Sequence, residues 1–132
     1  MKVVDSTFLI GLLRGEPGAV EKAQELDEEG GVATTAVNVY EVAYGVYKGA
    51  SNPDKRMEAL GRVLSNLDAL PLDLASALRA AKISGTLDKG GEGIDPFDAL
   101  IAGITLENGA DCLVTRNTTH FRRIKGLRVE SH

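Results

Sequence analysis

The sequence predicts an α/β fold in which a parallel sheet is covered by helices on both faces. Three observations predict it. Short strand-like runs alternate with helical runs along the whole chain. The breaks between them fall at glycine, proline and asparagine clusters. No internal repeat, low-complexity tract or long linker divides the 132 residues, so residues 1–132 read as a single domain.

Residues 2–5 (KVVD) read as a short strand ending in an acid, with Ser6 or Thr7 capping the helix FLIGLLRG, which stops at Gly15. Residues 17–29 form a second helix with Val20, Ala23 and Leu26 on its apolar side, ended by Gly30 and Gly31. GVATT is the second strand, and Thr34 or Thr35 starts a third helix that runs to Lys48. GASNPDK breaks the chain, and Pro53 opens a helix reaching about Asn66. LDALPL is a strand, Asp73 caps the long helix that follows, and a glycine-rich loop spans 90–93. Asp95 and Pro96 open the helix PFDALIAGITLENG. Residues 112–114 (CLV) are a strand, TRNTTHFRRI is a loop with one helical turn, and LRVE is the last strand.

Composition narrows the function. Tryptophan is absent and aromatic residues make up 5%, which argues against an aromatic platform for single-stranded bases. The lone Cys112 sits in an apolar run and rules out an internal disulfide, which suits the cytoplasm. Neither a signal peptide nor a membrane span is expected. The net charge of −4 is uneven. Residues 113–128 contain no acid and carry Arg116, Arg122, Arg123, Lys125 and Arg128, leaving −9 on the rest. A basic edge on an acidic protein suits a polyanion such as RNA; a solvated edge strand is the alternative.

In a parallel sheet of this kind, ligands gather beyond the carboxyl ends of the strands. Three carboxylates are candidates there. Asp5 ends the first strand. Glu41 lies on the narrow polar stripe (Thr34, Asn38, Glu41, Gly45, Lys48) of a helix otherwise apolar around its girth, so it is expected to face an enclosed space. Asp95, Pro96, Phe97 and Asp98 fit N-cap, N1, N2 and N3 of the next helix. Capping accounts for Asp95 and leaves Asp98 free for function. Three like charges on one edge repel, and a hard divalent cation, Mg²⁺ or Mn²⁺, resolves the repulsion with oxygen ligands alone. Zinc is disfavoured, because the histidines are only His120 and His132. Such a pocket beside a basic edge suits phosphodiester hydrolysis. A phosphate-accepting receiver domain is a weaker rival, since no lysine follows the last strand.

The runs VVDSTFLI, VNVYEVAYG and IDPFDALIAG…LVTRNTTHF…GLRV, in that order, resemble the PIN domain, specifically the VapC-type toxin ribonucleases. The resemblance implies a three-layer α/β/α fold with a five-stranded parallel sheet and Mg²⁺- or Mn²⁺-dependent RNA cleavage. It assigns the family's three acids to Asp5, Glu41 and Asp98, as catalytic and metal-holding residues. Its fourth acidic position falls on Asn117, with Thr115 beside the metal shell and Arg116 toward phosphate. Arg122, Arg123 and Lys125 would extend the RNA surface. His120 stands where the family commonly has an acid. The resemblance further implies a homodimer and a VapB-type antitoxin whose tail enters the active-site groove. Tyr40, Tyr44 and Tyr47 fit such an interface or a monomer core, and core is the commoner place for tyrosines at helical spacing. The alternative function is a PIN-shaped, non-catalytic RNA- or protein-binding module, suggested by Asn117 and His120.

Overall fold

A computed structural model describes residues 1–132. The strands are β1 (Lys2–Val4), β2 (Val32–Thr35), β3 (Asp68–Leu70), β4 (Cys112–Val114) and β5 (Val129–Glu130). They form one five-stranded sheet in the order β3-β2-β1-β4-β5, with every pairing parallel. The helices are α1 (Ser6–Leu13), α2 (Pro17–Glu29), α3 (Ala36–Gly49), α4 (Pro53–Leu64), α5 (Leu74–Lys89), α6 (Pro96–Glu107) and the single turn α7 (Thr118–Phe121). The three-layer α/β/α arrangement is the one expected.

Successive side chains on a strand point to opposite faces, and the two cores follow from that alternation. Val3 and Leu113 pack with Val37, Ile101, Ile104, Phe121 and Ile124 on one face. Val4, Cys112 and Val114 pack with Phe8, Leu9, Leu26, Val42 and Leu60 on the other. Cys112 is a buried hydrophobe, and burial pushes its thiol up to about 11. On the first face α5 and α6 cross very closely. A methyl group on Gly103 would sit 2.7 Å from the Ser76 carbonyl oxygen and 2.9 Å from Ala80 Cβ, so only glycine fits there. The short β5 is tied down by Glu130, which receives Lys2 at 3.0 Å and Lys22 at 2.9 Å; these cations hold its carboxyl down to about 2.

The structure corrects three readings of the sequence. Strand β4 has the bounds read from the sequence, whereas the other four are shorter; β1 and β2 end where the chain turns directly into α1 and α3. Asp5 itself caps α1, accepting from the Phe8 N–H, so the helix starts at Ser6 rather than after it. Helix α3 is not enclosed all round. It buries Val37 in one core, Val42 in the other and Asn38 between them, while Tyr40, Tyr44 and Tyr47 stand exposed. Tyr40 and Tyr44 stack with centroids 6.0 Å apart, and Phe97 meets Tyr40 edge-on at 5.8 Å. Stacking and phenolic hydroxyls in water make that face tolerable without a core around it.

Candidate active site

The sheet order reverses between β1 and β4, since β2 and β3 lie on one side of β1 and β5 lies beyond β4. A crevice opens at the carboxyl ends of strands at such a point. Asp5 follows β1 there and Thr115 follows β4. Asp5 is 3% exposed. Its Oδ1 accepts from the Thr7 hydroxyl at 2.6 Å and the Phe8 N–H at 3.2 Å, and its Oδ2 accepts from the Thr115 hydroxyl. Burial raises its proton affinity, and these three donors oppose the rise. Thr7 Oγ1 also accepts from the Arg116 N–H at 2.9 Å and lies 3.1 Å from His132 Nε2.

Glu41 reaches the same edge from α3 and is half-buried. Its Oε1 accepts from the Ser6 hydroxyl at 2.6 Å. Burial raises its carboxyl, the Ser6 hydrogen bond lowers it, and the charges of Asp5 and Asp95 raise it again. Asp98 projects from the first turn of α6, with its side chain 16% exposed. Burial, then the charges of Asp95 and Glu41, push its carboxyl up to about 6, while His120, 3.9 Å from Asp98 Oδ2, pulls the other way.

Asp5 and Glu41 both raise the Asp98 carboxyl, and Asp5 raises that of Glu41. The three do not form a preformed cluster: nowhere in the chain do three Asp, Glu, His or Cys side chains gather closely enough to coordinate one ion. Asp95 caps α6 through the Phe97 N–H at 2.8 Å, as its position before proline required. Its charge also raises both Asp98 and Glu41. Capping accounts for Asp95 so fully in the sequence that nothing there signals this second contribution. The links from Ser6 to Glu41 and from Asn38 to Ser6 carry no sequence signal beyond polar residues near an acid.

The remaining residues are spread around the rim. Thr115 is wholly buried and spends its hydroxyl hydrogen on Asp5. Asn117 is exposed and starts α7 with no side-chain capping bond; its N–H donates to Thr115 Oγ1 at 3.0 Å. The Arg116 guanidinium is engaged by Glu16 rather than free above the pocket. Arg122 is exposed. Arg123 donates to the Gly93 carbonyl at 3.1 Å. With Lys125, Arg79 and Lys82 it lines a cleft of about 320 Å³ between α5 and the segment after α7, floored by Ile83, Leu87 and Ile124. A second cleft, of about 330 Å³, runs from Glu41 between α1, α3 and α4 past Arg14 and Arg56.

A family model described as the PIN domain matches residues 2–127. The chain belongs to the PIN domain family. It is 30% identical over 128 residues to the tRNA(fMet)-specific endonuclease VapC of Shigella flexneri, covering 97% of this chain and 95% of that one. The Salmonella typhimurium protein of the same name is 25% identical over the same shares. Among solved structures, the DNA-bound VapBC of Salmonella typhimurium matches with a TM-score of 0.86 and 25% identity, over 98% of this chain and 96% of that one. VapBC2 of Rickettsia felis, bound to a promoter DNA fragment, matches with a TM-score of 0.89 and 21% identity, over 99% of this chain and 98% of that one. The PIN fold expected from the sequence is therefore the fold of this chain. No helix is long and apolar enough to cross a membrane.

Proposed function

We propose that this PIN domain is a VapC-type endoribonuclease, the toxin of a VapBC-type pair, and that it requires Mg²⁺ or Mn²⁺. One observation carries the reading. Glu41 and Asp98 are raised by burial and by neighbouring carboxylates, beside a buried Asp5, at the switch point of the sheet. The donor set fits a hard divalent cation: carboxylate oxygens in a field of like charge, with no lysine or arginine salt-bridged to any of them and only His120 at 3.9 Å. Asp5, Glu41 and Asp98 would hold the ion, Thr115 by fixing Asp5 and Asn117 by holding a water of the shell. When bound, such a cation supplies charge neutralisation at the phosphate and a more acidic attacking water.

The chain's own residues do the rest. Ser6 and Thr115 aim the Glu41 and Asp5 oxygens. Arg122, Arg123 and Lys125 offer charge to the RNA backbone, and Arg79 and Lys82 extend that track along α5. Arg116 reaches a phosphate only by leaving Glu16. The cleft that begins at Glu41 and passes Arg14 and Arg56 suits the tail of a VapB-type partner. The exposed tyrosine face of α3 suits a homodimer. A cytoplasmic location follows from an RNA substrate and a lone, buried cysteine.

The test is Mn²⁺-dependent cleavage of initiator tRNA(fMet), for which two relatives are named, beside a panel of structured RNAs. Wild type is compared with Asp98→Asn at matched concentration. Cleavage by wild type alone supports the reading. Equal cleavage by both would remove Asp98 from the chemistry. Wild-type protein that neither cleaves nor binds Mn²⁺ would favour the non-catalytic module.

A further inference from the structure

We propose that Asn38 is a positioning residue for Glu41, acting through the Ser6 hydroxyl, and that this relay fixes which Glu41 oxygen faces a metal. The inference rests on the nuclease reading of the pocket.

Asn38 is wholly buried, one helical turn before Glu41 on α3. Four hydrogen bonds give the relay a direction. Thr35 Oγ1 accepts from the Asn38 N–H at 3.1 Å, which is the N-cap bond of α3, so its own hydrogen is free to donate to Asn38 Oδ1 at 2.7 Å. With Oδ1 turned toward Thr35, the amide must turn Nδ2 toward Ser6, and it donates to Ser6 Oγ at 2.9 Å. The Ser6 hydroxyl then has an acceptor site filled and gives its hydrogen to Glu41 Oε1 at 2.6 Å. The Thr35 hydroxyl, the Asn38 amide and the Ser6 hydroxyl each donate once and accept once along the line, and Glu41 accepts at its end. Only a side chain with an acceptor at one end and a donor at the other fits position 38; a carboxylate would draw the Ser6 hydrogen to itself, and an aliphatic side chain would leave Ser6 free to rotate.

The result is a Glu41 whose Oε1 is occupied by Ser6 and whose Oε2 has no hydrogen-bond donor from the protein. Oε2 is therefore the oxygen presented to a cation. The register of this device comes from the end of β2 through Thr35, so the sheet itself sets the carboxylate's orientation. Groups that orient a metal ligand in this way typically influence metal affinity by a factor of about 10–100.

The experiment is Mn²⁺ binding to the metal-free full chain, by calorimetry and electron paramagnetic resonance, in a double-mutant cycle. Asn38→Leu keeps the branch point and the heavy-atom count and removes both polar ends, at the cost of a larger side chain. It is expected to weaken Mn²⁺ binding by about tenfold or more while thermal unfolding remains cooperative. In a Glu41→Gln background the same substitution should change Mn²⁺ affinity little, because the group it positions is gone. Ser6→Ala breaks the relay at its last link and should match Asn38→Leu; it carries the test if Asn38→Leu does not fold. Wild-type affinity in Ser6→Ala, or an equal loss with and without Glu41, would overturn the proposal while leaving the nuclease reading intact. Wild-type protein that binds no Mn²⁺ would overturn both.

Discussion

Thr115 donates its hydroxyl hydrogen to Oδ2 of Asp5, so the residue that follows β4 holds the residue that follows β1 across the point where the sheet order reverses. Both side chains are buried, and Thr115 also accepts from the Asn117 N–H. Thr115→Val keeps the shape but takes a donor from Asp5 and an acceptor from Asn117. Leaving buried polar groups unpaired costs about 1–3 kcal/mol. The urea midpoint should fall accordingly with an unchanged slope, and Thr115→Ser should restore most of it. An unmoved midpoint in Thr115→Val would mean that the bond does not hold the crevice together.

Asp98 stores repulsion that the metal-free protein must carry. Its carboxyl is lifted from an ordinary 3.8 to about 6, by burial first and then by Asp95 and Glu41. A carboxyl raised on folding favours the folded state when protonated. That contribution is fully present below the unfolded value near 3.8 and is lost as pH rises through about 6. Without divalent ions, Asp98→Asn should therefore melt a few degrees above wild type at about pH 7.5, and the gap should shrink toward about pH 4. Millimolar Mn²⁺ should raise the wild-type melting temperature at the higher pH and leave Asp98→Asn nearly unmoved. A variant that melts with wild type at both pH values would show that the carboxylates do not repel as argued.

Much of this was legible in the chain, for physical reasons that differ by element. The alternation of strands and helices, the Asp95–Pro96 helix start and the buried Cys112 follow from local rules of capping and burial, and each is found. Helix α3 shows where such rules stop. Its apolar pattern runs nearly all round, and sequence alone does not say that Val37 and Val42 turn inward while the tyrosines turn outward. The Ser6–Asn38–Glu41 links join β1's end to α3, and a bond between residues 35 positions apart leaves no spacing rule to read. The cleft of Arg79, Lys82, Arg123 and Lys125 was half legible. Its second half lies in the 113–128 charge run, but Arg79 and Lys82 join it only through the packing of α5.

That cleft makes a prediction about salt. Arg123 and Lys125 stand on one wall and Arg79 and Lys82 on the other; Arg79 is paired with Glu107 at 3.2 Å, so the three others are the cations open to phosphate. If an RNA strand runs there, every phosphate left without its cation should flatten the dependence of log affinity on log salt by roughly 0.7. Arg123→Ala with Lys125→Ala should weaken RNA binding at low salt, flatten that dependence, and leave Mn²⁺ affinity unchanged. Arg116→Ala should do less, because Glu16 already neutralises that guanidinium. Unchanged RNA affinity in the double variant would move the strand to another face.

The tyrosine face of α3 carries the last prediction. Tyr40 is 56%, Tyr44 53% and Tyr47 63% exposed, and Phe97 from α6 continues the patch beside Asp98. The hydroxyls and stacking make this aromatic surface tolerable in water, and its size and continuity suit an interface. In a two-fold dimer the same patch meets itself, so a substitution at Tyr44 is felt on both sides at once. Tyr44→Glu introduces one charge into the patch of each copy at a position that is solvent-exposed in the single chain, so the fold should be spared. Wild type is expected to sediment at twice the chain mass at micromolar concentration, and Tyr44→Glu at the chain mass with an unchanged circular dichroism spectrum. Because Tyr40 adjoins Glu41 and Phe97 adjoins Asp98, the dimer would also bring the rims of two pockets together, and the monomeric variant should lose affinity for long RNA more than for short oligonucleotides. A wild type that stays monomeric at high concentration would leave the patch to a partner protein.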